Sequence, residues 1–451
     1  MEVVAASSST VLHGLRFCPA GYPACEYKAT FPVQRFADSK AVLISMQRQE
    51  TFWTFAVVML SGGILAATNL GKIPPLLASL QSDLHIGITT AGWIASIFNI
   101  LGATAGIAAG TLADRVGRRK MLLVGLTALT GGNLLGAFGH SVEMLLVSRS
   151  IEGAGYILCM VSFPALIADA TAPRHQRITL GLWGATVPLG VMLAMFVAVP
   201  ISQAVGWRLF WVGLAGACAA FAAIVYLLPP VSGQSSRPQV SLRGLRETFS
   251  TGGPALLATS FAFYSFQWFA LITWMPILVV RTGTLDAATA GIVAALIVGA
   301  NILGNLLGSL AVQKGAPRWM LLAIAAATLS LCGFAVFALP LPEPIKYLLA
   351  AIGSGLSGVL PPAVYSGVPL YVGQSGNSSA INGSIMQGAN LGALLGPPAI
   401  AMSFALTNSW TFAGFILLFC GLIGVALALV LRVIESRAIK LAAPVDAASR
   451  Y

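Results

Sequence analysis

The chain has 451 residues, of which 57% are hydrophobic and only 9% charged, and its formal net charge is +11. Ordinary soluble domains carry roughly 25% charged residues, so water is excluded as the main solvent. The basic excess raises the question of nucleic acid, but the cations are scattered between apolar runs and form no single patch, which excludes a nucleic-acid partner.

The first 45 residues mix Cys18, Cys25, several prolines and scattered charges, without the apolar run of a cleavable signal peptide. Two readings stay open: a disordered tail over 1–45, or upstream sequence translated from an early start, with Met46 as the natural beginning. Cys18 and Cys25 lack His or Cys partners at metal-ligand spacing. Cys159, Cys218, Cys332 and Cys420 fall one per apolar segment and read as small packing residues. No metal site, cofactor or disulfide framework is expected.

Stretches long enough to cross a bilayer, about 20 helical residues each, follow in series. The first six are expected near Phe52–Gly71, Thr89–Leu112, Met121–Gly139, Val142–Ala168, Ile178–Ala204 and Arg208–Leu228. The second six fall near Ala255–Val280, Ala287–Val312, Trp319–Leu339, Ile345–Leu370, Ala380–Leu406 and Trp410–Arg432. The expected fold is an all-α integral membrane protein of twelve transmembrane helices in two pseudo-symmetric six-helix bundles, 46–228 and 254–432. Between them, 229–253 is polar, basic and rich in Gly, Pro and Ser, as a cytoplasmic linker is; 433–451 is a cytoplasmic tail.

Charge alternates with this topology. Counted after Met46 with the amino end in the cytoplasm, inner segments hold Arg48, Arg115, Arg118, Arg119, Lys120, Arg174, Arg177, Arg237, Arg243, Arg246, Lys314, Arg318, Arg432, Arg437, Lys440 and Arg450, whereas outer turns hold only Lys72, Arg208, Arg281 and Lys346. The positive-inside rule then places both termini in the cytoplasm of a multi-pass plasma (inner) membrane protein. Two echoes indicate duplication. Gly110–Lys120 reads GTLADRVGRRK and Gly308–Arg318 reads GSLAVQKGAPR, while Gly181, Leu189 and Gly190 match Gly383, Leu391 and Gly392 at one offset. Parallel repeats of this kind build many secondary transporters.

Glycines recur every four positions at Gly102, Gly106 and Gly110, and again at Gly388, Gly392 and Gly396, with Gly304 and Gly308 in a further span. Such stripes let backbones approach closely, either as static packing or as smooth sliding surfaces. Arg149 and Glu152 stand three apart on one helical face. An ionisable group within a span costs on the order of 3 kcal/mol to insert and is a functional candidate by default. Glu152 is the most central carboxylate and the proton-coupling candidate, with Arg149 biasing its protonation or holding an anion; the alternative is a self-neutralising structural pair. Substrate-cavity candidates are Lys72, Asn99, Tyr264, Gln267, Trp268, Asn301, Asn305, Asn382, Gln387 and Asn390. Each taken alone is more often an interhelical hydrogen bond than a ligand contact, and Lys72 reads equally as a snorkelling end residue. Together, two cations, aromatic walls and amides suit a small organic anion.

Other classes fare badly. No G-x-x-x-x-G-K-[ST] loop marks a primary pump, no H-E-x-x-H marks a zinc hydrolase, and no G-x-S-x-G elbow marks a serine enzyme. No enzyme and no catalytic residues are expected.

GTLADRVGRRK closely resembles the signature between helices two and three of the major facilitator superfamily, and Arg149-Ser-Ile-Glu-Gly-Ala-Gly155 resembles its fourth-helix motif. The stretch 69–93, the Gly206-Trp207-Arg208 turn and 382–390 are more loosely similar to a cyanate-permease-like and nitroimidazole-transporter-like branch. The resemblance implies a proton-coupled secondary carrier of a small-molecule substrate, working by alternating access and functional as a monomer in the lipid bilayer. It also implies a conformational latch at Gly110, Asp114, Arg115, Gly117, Arg118 and Arg119, in which the signature's Asp and Arg grip helix eleven. The second copy has Val312 in place of the aspartate and Ala316-Pro317 in place of two basic residues, so that half is expected to have lost the latch. Drug-type efflux and solute sensing are the alternatives. The exporters' helix-five Gly-Pro motif is only partly present, as Val187-Pro188-Leu189-Gly190.

Overall fold

Proline placement decides where the apolar helices bend. Pro74 and Pro75 lack the N–H that an α-helix needs and restrict the residues before them, so the helix Trp53–Gly71 gives way to a 3-10 turn at Pro74–Leu76 and resumes as Leu77–Leu84. His85 closes that segment in the left-handed region, φ 53°. The first span is therefore Trp53–Leu84. Its expected end at Gly71 is corrected, and Asp83 falls within its last helical segment. Pro361 and Pro362 act similarly, starting the short helix Leu360–Tyr365 after Glu343–Ser357 has ended.

The computed structural model describes residues 51–229, 252–281, 285–372 and 378–442, with the side chains of 110–115, 177, 281, 287, 378, 379 and 437–442 left aside. Among the described residues, twelve helices are long and apolar enough to cross a membrane. After the first come the second span, Ile88–Ala109, the third, Arg118–Phe138, the fourth, Val142–Ala170, the fifth, Thr186–Val205, and the sixth, Trp207–Leu227. The other six are the seventh, Gly253–Val280, the eighth, Ala288–Gln313, the ninth, Arg318–Ala338, the tenth, Glu343–Tyr371, the eleventh, Ala380–Thr407, and the twelfth, Thr411–Ser436. The expected fifth span is divided, with a helix Gln176–Gly184 preceding Thr186–Val205. The expected linker lies almost wholly outside the described residues, as do 1–45 and 443–451 of the two tails.

Packing repeats between the halves. The third span lies against the fourth and sixth, and the ninth against the tenth and twelfth. The halves meet where the second span packs on the eleventh and the fifth on the eighth. Small residues make these approaches possible, because in lipid close van der Waals contact replaces the hydrophobic drive between helices. Gly106 sits against the Gly383 carbonyl and Gln387, and Gly291 against Met195 and Val199. The other stripes serve packing within one half: Gly388, Gly392 and Gly396 lie on the backbone of Ala258, Ala262 and Phe266 in the seventh span, and Gly304 and Gly308 on the tenth.

Candidate functional site

A charged cluster forms inside the first half. Glu152 and Arg149 share a face of the fourth span, and Arg149 Nη1 donates to Glu152 Oε2. Lys72 Nζ donates to the other carboxylate oxygen, Oε1, at 2.8 Å and to Asn133 Oδ1 at 2.7 Å. Asn133 Nδ2 donates to Asn69 Oδ1 at 2.6 Å, and Arg149 Nη1 also reaches the Asn69 carbonyl at 2.9 Å. Rings cover both cations: Lys72 Nζ lies 3.8 Å from the Trp211 ring centre and the Arg149 guanidinium 4.4 Å from that of Phe98. Lys72, Arg149, Glu152, Asn69 and Asn133 are all fully buried.

Two cations thus share one carboxylate, and Arg149 Nε and Nη2 are buried without a hydrogen-bond partner. Lys72 directly follows the last turn of Trp53–Gly71, where free carbonyls favour a cation. The sequence reading that set it in an outer turn, or snorkelling, is corrected: because the span continues past Pro75, Lys72 is interior. Asn133 was missed altogether, although an amide within the apolar run of the third span was its signal.

The second half holds a neutral network. Asn301 Nδ2 donates to Tyr264 Oη at 3.1 Å and to the Ser354 carbonyl at 2.7 Å. Trp268 Nε1 donates to Ser354 Oγ at 3.1 Å, and Asn305 Nδ2 to Asn301 Oδ1 at 2.8 Å. Seventh-, eighth- and tenth-span residues therefore meet, with Ser354 the member that sequence reasoning overlooked. Gln267 donates to its own helix at the Phe263 carbonyl, and its buried Oε1 has no partner.

The remaining candidates are dispersed. Asn99 donates to the Ser96 carbonyl beside the 3-10 bend at Ile97–Asn99. Asn390 is buried against Gly102 and donates to the Met386 carbonyl. Gln387 crosses between the halves to the Thr104 carbonyl at 3.1 Å. Asn382 is exposed and joins neither cluster.

At the basic end, Gly117 turns the chain at φ 101°, which a side chain would strain. Arg118 Nη1 reaches Asp169 Oδ2 of the fourth span at 2.7 Å, and Arg119 Nη2 donates to the Val225, Tyr226 and Leu228 carbonyls at the end of the sixth. These contacts stay within the first half. The side chains of Gly110, Asp114 and Arg115 lie outside the described residues. In the second half Arg318 pairs with Glu435 at 2.6 Å, tying the start of the ninth span to the end of the twelfth as Arg119 ties the third to the sixth. Among the described residues no three His, Cys, Asp or Glu side chains gather to hold a metal ion.

A buried, charged, polar-lined interior divided between two repeated halves defines a membrane transporter. Residues 59–388 match the Major Facilitator Superfamily, and the chain belongs to that family of transporters. It is similar to the 3-(3-hydroxy-phenyl)propionate transporter of Escherichia coli (strain K12), 28% identical over 70% of this chain and 78% of that one. An uncharacterized transporter, YycB, of Bacillus subtilis (strain 168) is 25% identical over 80% of this chain and 89% of its own. The methylenomycin A resistance protein of the same organism is 26% identical over 41% of this chain and 40% of its own length.

Proposed function

We propose that the protein is a proton-coupled secondary carrier of a small organic anion, working by alternating access. The observation that carries the reading is the uncompensated cation: two buried positive groups face a single carboxylate, and two guanidinium nitrogens of Arg149 lack acceptors. An unpaired buried charge is strongly unfavourable, and a ligand carboxylate supplies both the missing charge and the missing acceptors. Such a ligand competes with Glu152 for the two cations. The displaced Glu152 carboxylate takes a proton, so anion and proton cross together, and return of the proton restores the ion pairs. A relative named for a propionate agrees with this chemistry.

The same reading makes 46–228 and 254–432 the two moving units and 229–253 their tether, in a monomer whose termini lie on the cytoplasmic side of the plasma (inner) membrane. Asp114, Arg115 and Arg118 keep their proposed latch role against the eleventh span in the opposite conformation. The looser branch likeness supplies no substrate. Drug-type efflux is the second reading, favoured by the relative named for resistance to methylenomycin A.

Uptake into proteoliposomes of a panel of carboxylates, with and without an inward pH gradient, is the test. Gradient-driven accumulation that Arg149→Gln abolishes supports the proposal. Transport of cationic or neutral lipophilic compounds alone, indifferent to Arg149, overturns it.

A further inference from the structure

The two cations that share Glu152 differ in the donors they have left. An ammonium has three. Lys72 Nζ directs two of them to Glu152 Oε1 at 2.8 Å and Asn133 Oδ1 at 2.7 Å, and the Trp211 ring, 3.8 Å away at its centre, faces the same nitrogen. Lys72 is therefore fully occupied. A guanidinium carries five N–H donors in a rigid plane, and Nη1 of Arg149 serves Glu152 Oε2 and the Asn69 carbonyl. The remaining donors, on Nε and Nη2, are buried without a hydrogen-bond partner among the described residues.

Nε–H and the adjacent Nη2–H point the same way in the guanidinium plane, a fork whose spacing matches the two oxygens of one carboxylate. Phe98 covers the flat face, its ring centre 4.4 Å from the guanidinium carbon. Gly153, one helical turn beyond Arg149, makes that possible: a Cβ there would collide with the Phe98 carbonyl, so only glycine lets the 3-10 bend at Ile97–Asn99 press against the fourth span. With one face covered and Nη1 engaged, the Nε–Nη2 edge is what Arg149 offers to a ligand. Charge sets the same limit. The cluster holds two positive groups against one negative, and Lys72 and Arg149 are the fully buried cations among the described residues. A single negative charge completes it, whereas a second finds no buried counter-ion there.

We propose that the Nε–Nη2 edge of Arg149 is the substrate contact of this cluster and that it selects monocarboxylates over dicarboxylates. The proposal rests on the anion reading and narrows it to a class: one free fork and one missing charge both call for a single carboxylate. The substrate's competition for Lys72 is then a matter of charge at a distance, and its hydrogen bonds are made to Arg149.

Monomethyl succinate and succinate share one four-carbon chain and differ in carrying one or two ionised carboxylates at about pH 8. Binding of each to the full-length protein in detergent micelles is measured by titration calorimetry. The unaltered protein is expected to bind the monoester about tenfold tighter than succinate, a comparison that needs no variant. Arg149→Lys keeps the charge but loses the fork, so it should weaken monoester binding about tenfold while preserving the preference over succinate. A merely structural role for Arg149 would not keep that preference while affinity falls. Monoester affinity unchanged in Arg149→Lys overturns the fork. Equal or tighter binding of succinate by the unaltered protein, with both ligands weakened by Arg149→Gln, overturns the selection of a single charge and leaves the anion reading standing. No binding of either ligand by the unaltered protein overturns both.

Discussion

Lys72 and Glu152, eighty positions apart, meet at 2.8 Å in a fully buried pair whose second cation, Arg149, occupies the other carboxylate oxygen. The carboxylate is thus the common counter-ion of two helices, and its loss has a different consequence from the loss of either cation.

Glu152→Gln leaves two buried cations without an anion and is expected to destabilise the protein by about 3–5 kcal/mol. Lys72→Met leaves a neutral Arg149–Glu152 pair and costs less. The double variant Lys72→Met/Glu152→Gln, with one cation removed, should recover stability relative to Glu152→Gln alone. Thermal unfolding in detergent micelles reads all three, and a double variant that melts below both singles contradicts the shared-counter-ion account.

In transport, Glu152→Gln should abolish accumulation driven by a pH gradient while sparing exchange of labelled for unlabelled anion, because the amide takes no proton yet leaves Arg149 in place. Equal loss of accumulation and exchange in proteoliposomes assigns Glu152 a structural role instead.

Added methyl groups should discriminate two kinds of helix contact. Gly388→Ala directs a Cβ at the Ala258 carbonyl, a backbone atom that cannot swing away, whereas Gly102→Ala meets the Asn390 side chain. Overpacking costs about 1–3 kcal/mol, so Gly388→Ala is expected to lower the melting temperature clearly. Gly102→Ala should be milder and be rescued by Asn390→Ala. Absence of rescue in a double-mutant cycle counts against a direct contact between the second and eleventh spans there.

Asp286 caps the eighth span from outside it, accepting from the Ala288 N–H and the Thr289 hydroxyl. The Thr289 hydrogen bond, followed by backbone donors, holds its carboxyl below the ordinary 3.8. A depressed folded value means that the cap's contribution is complete above the unfolded value and disappears as pH falls through the folded one. Asp286→Asn should therefore flatten the decline of stability below about pH 4, seen as a smaller change in melting temperature between neutral and acid buffer.

Arg208 and Asp83 form an ion pair at 2.6 Å whose members remain 35% and 42% exposed. Exposed pairs of this kind contribute about 0–1 kcal/mol. Asp83→Asn should leave the melting temperature within about a degree or two of the unaltered protein, in contrast to the buried Lys72 pair. A large drop would mean that Asp83, through Trp207 Nε1 at 3.1 Å, anchors the end of the first span to the start of the sixth.

The chain's own letters carry the membrane, the twelve crossings and the repeat, because each depends on local apolar length, on where cations interrupt it and on recurring glycine spacing. They also carry the Arg149–Glu152 pair, since three positions along a helix place two side chains on one face. Tyr264, Trp268 and Asn301 stand out in the sequence as candidates but not as one network, for Ser354 had no signal apart from its neighbours. Only the tertiary structure decided that Lys72 enters the interior instead of closing a span and that Asn133 braces it. Those outcomes depend on how each helix is rotated and on the direction the chain takes after a proline break. Rotation is decided by close packing among distant segments, which composition and periodicity leave open.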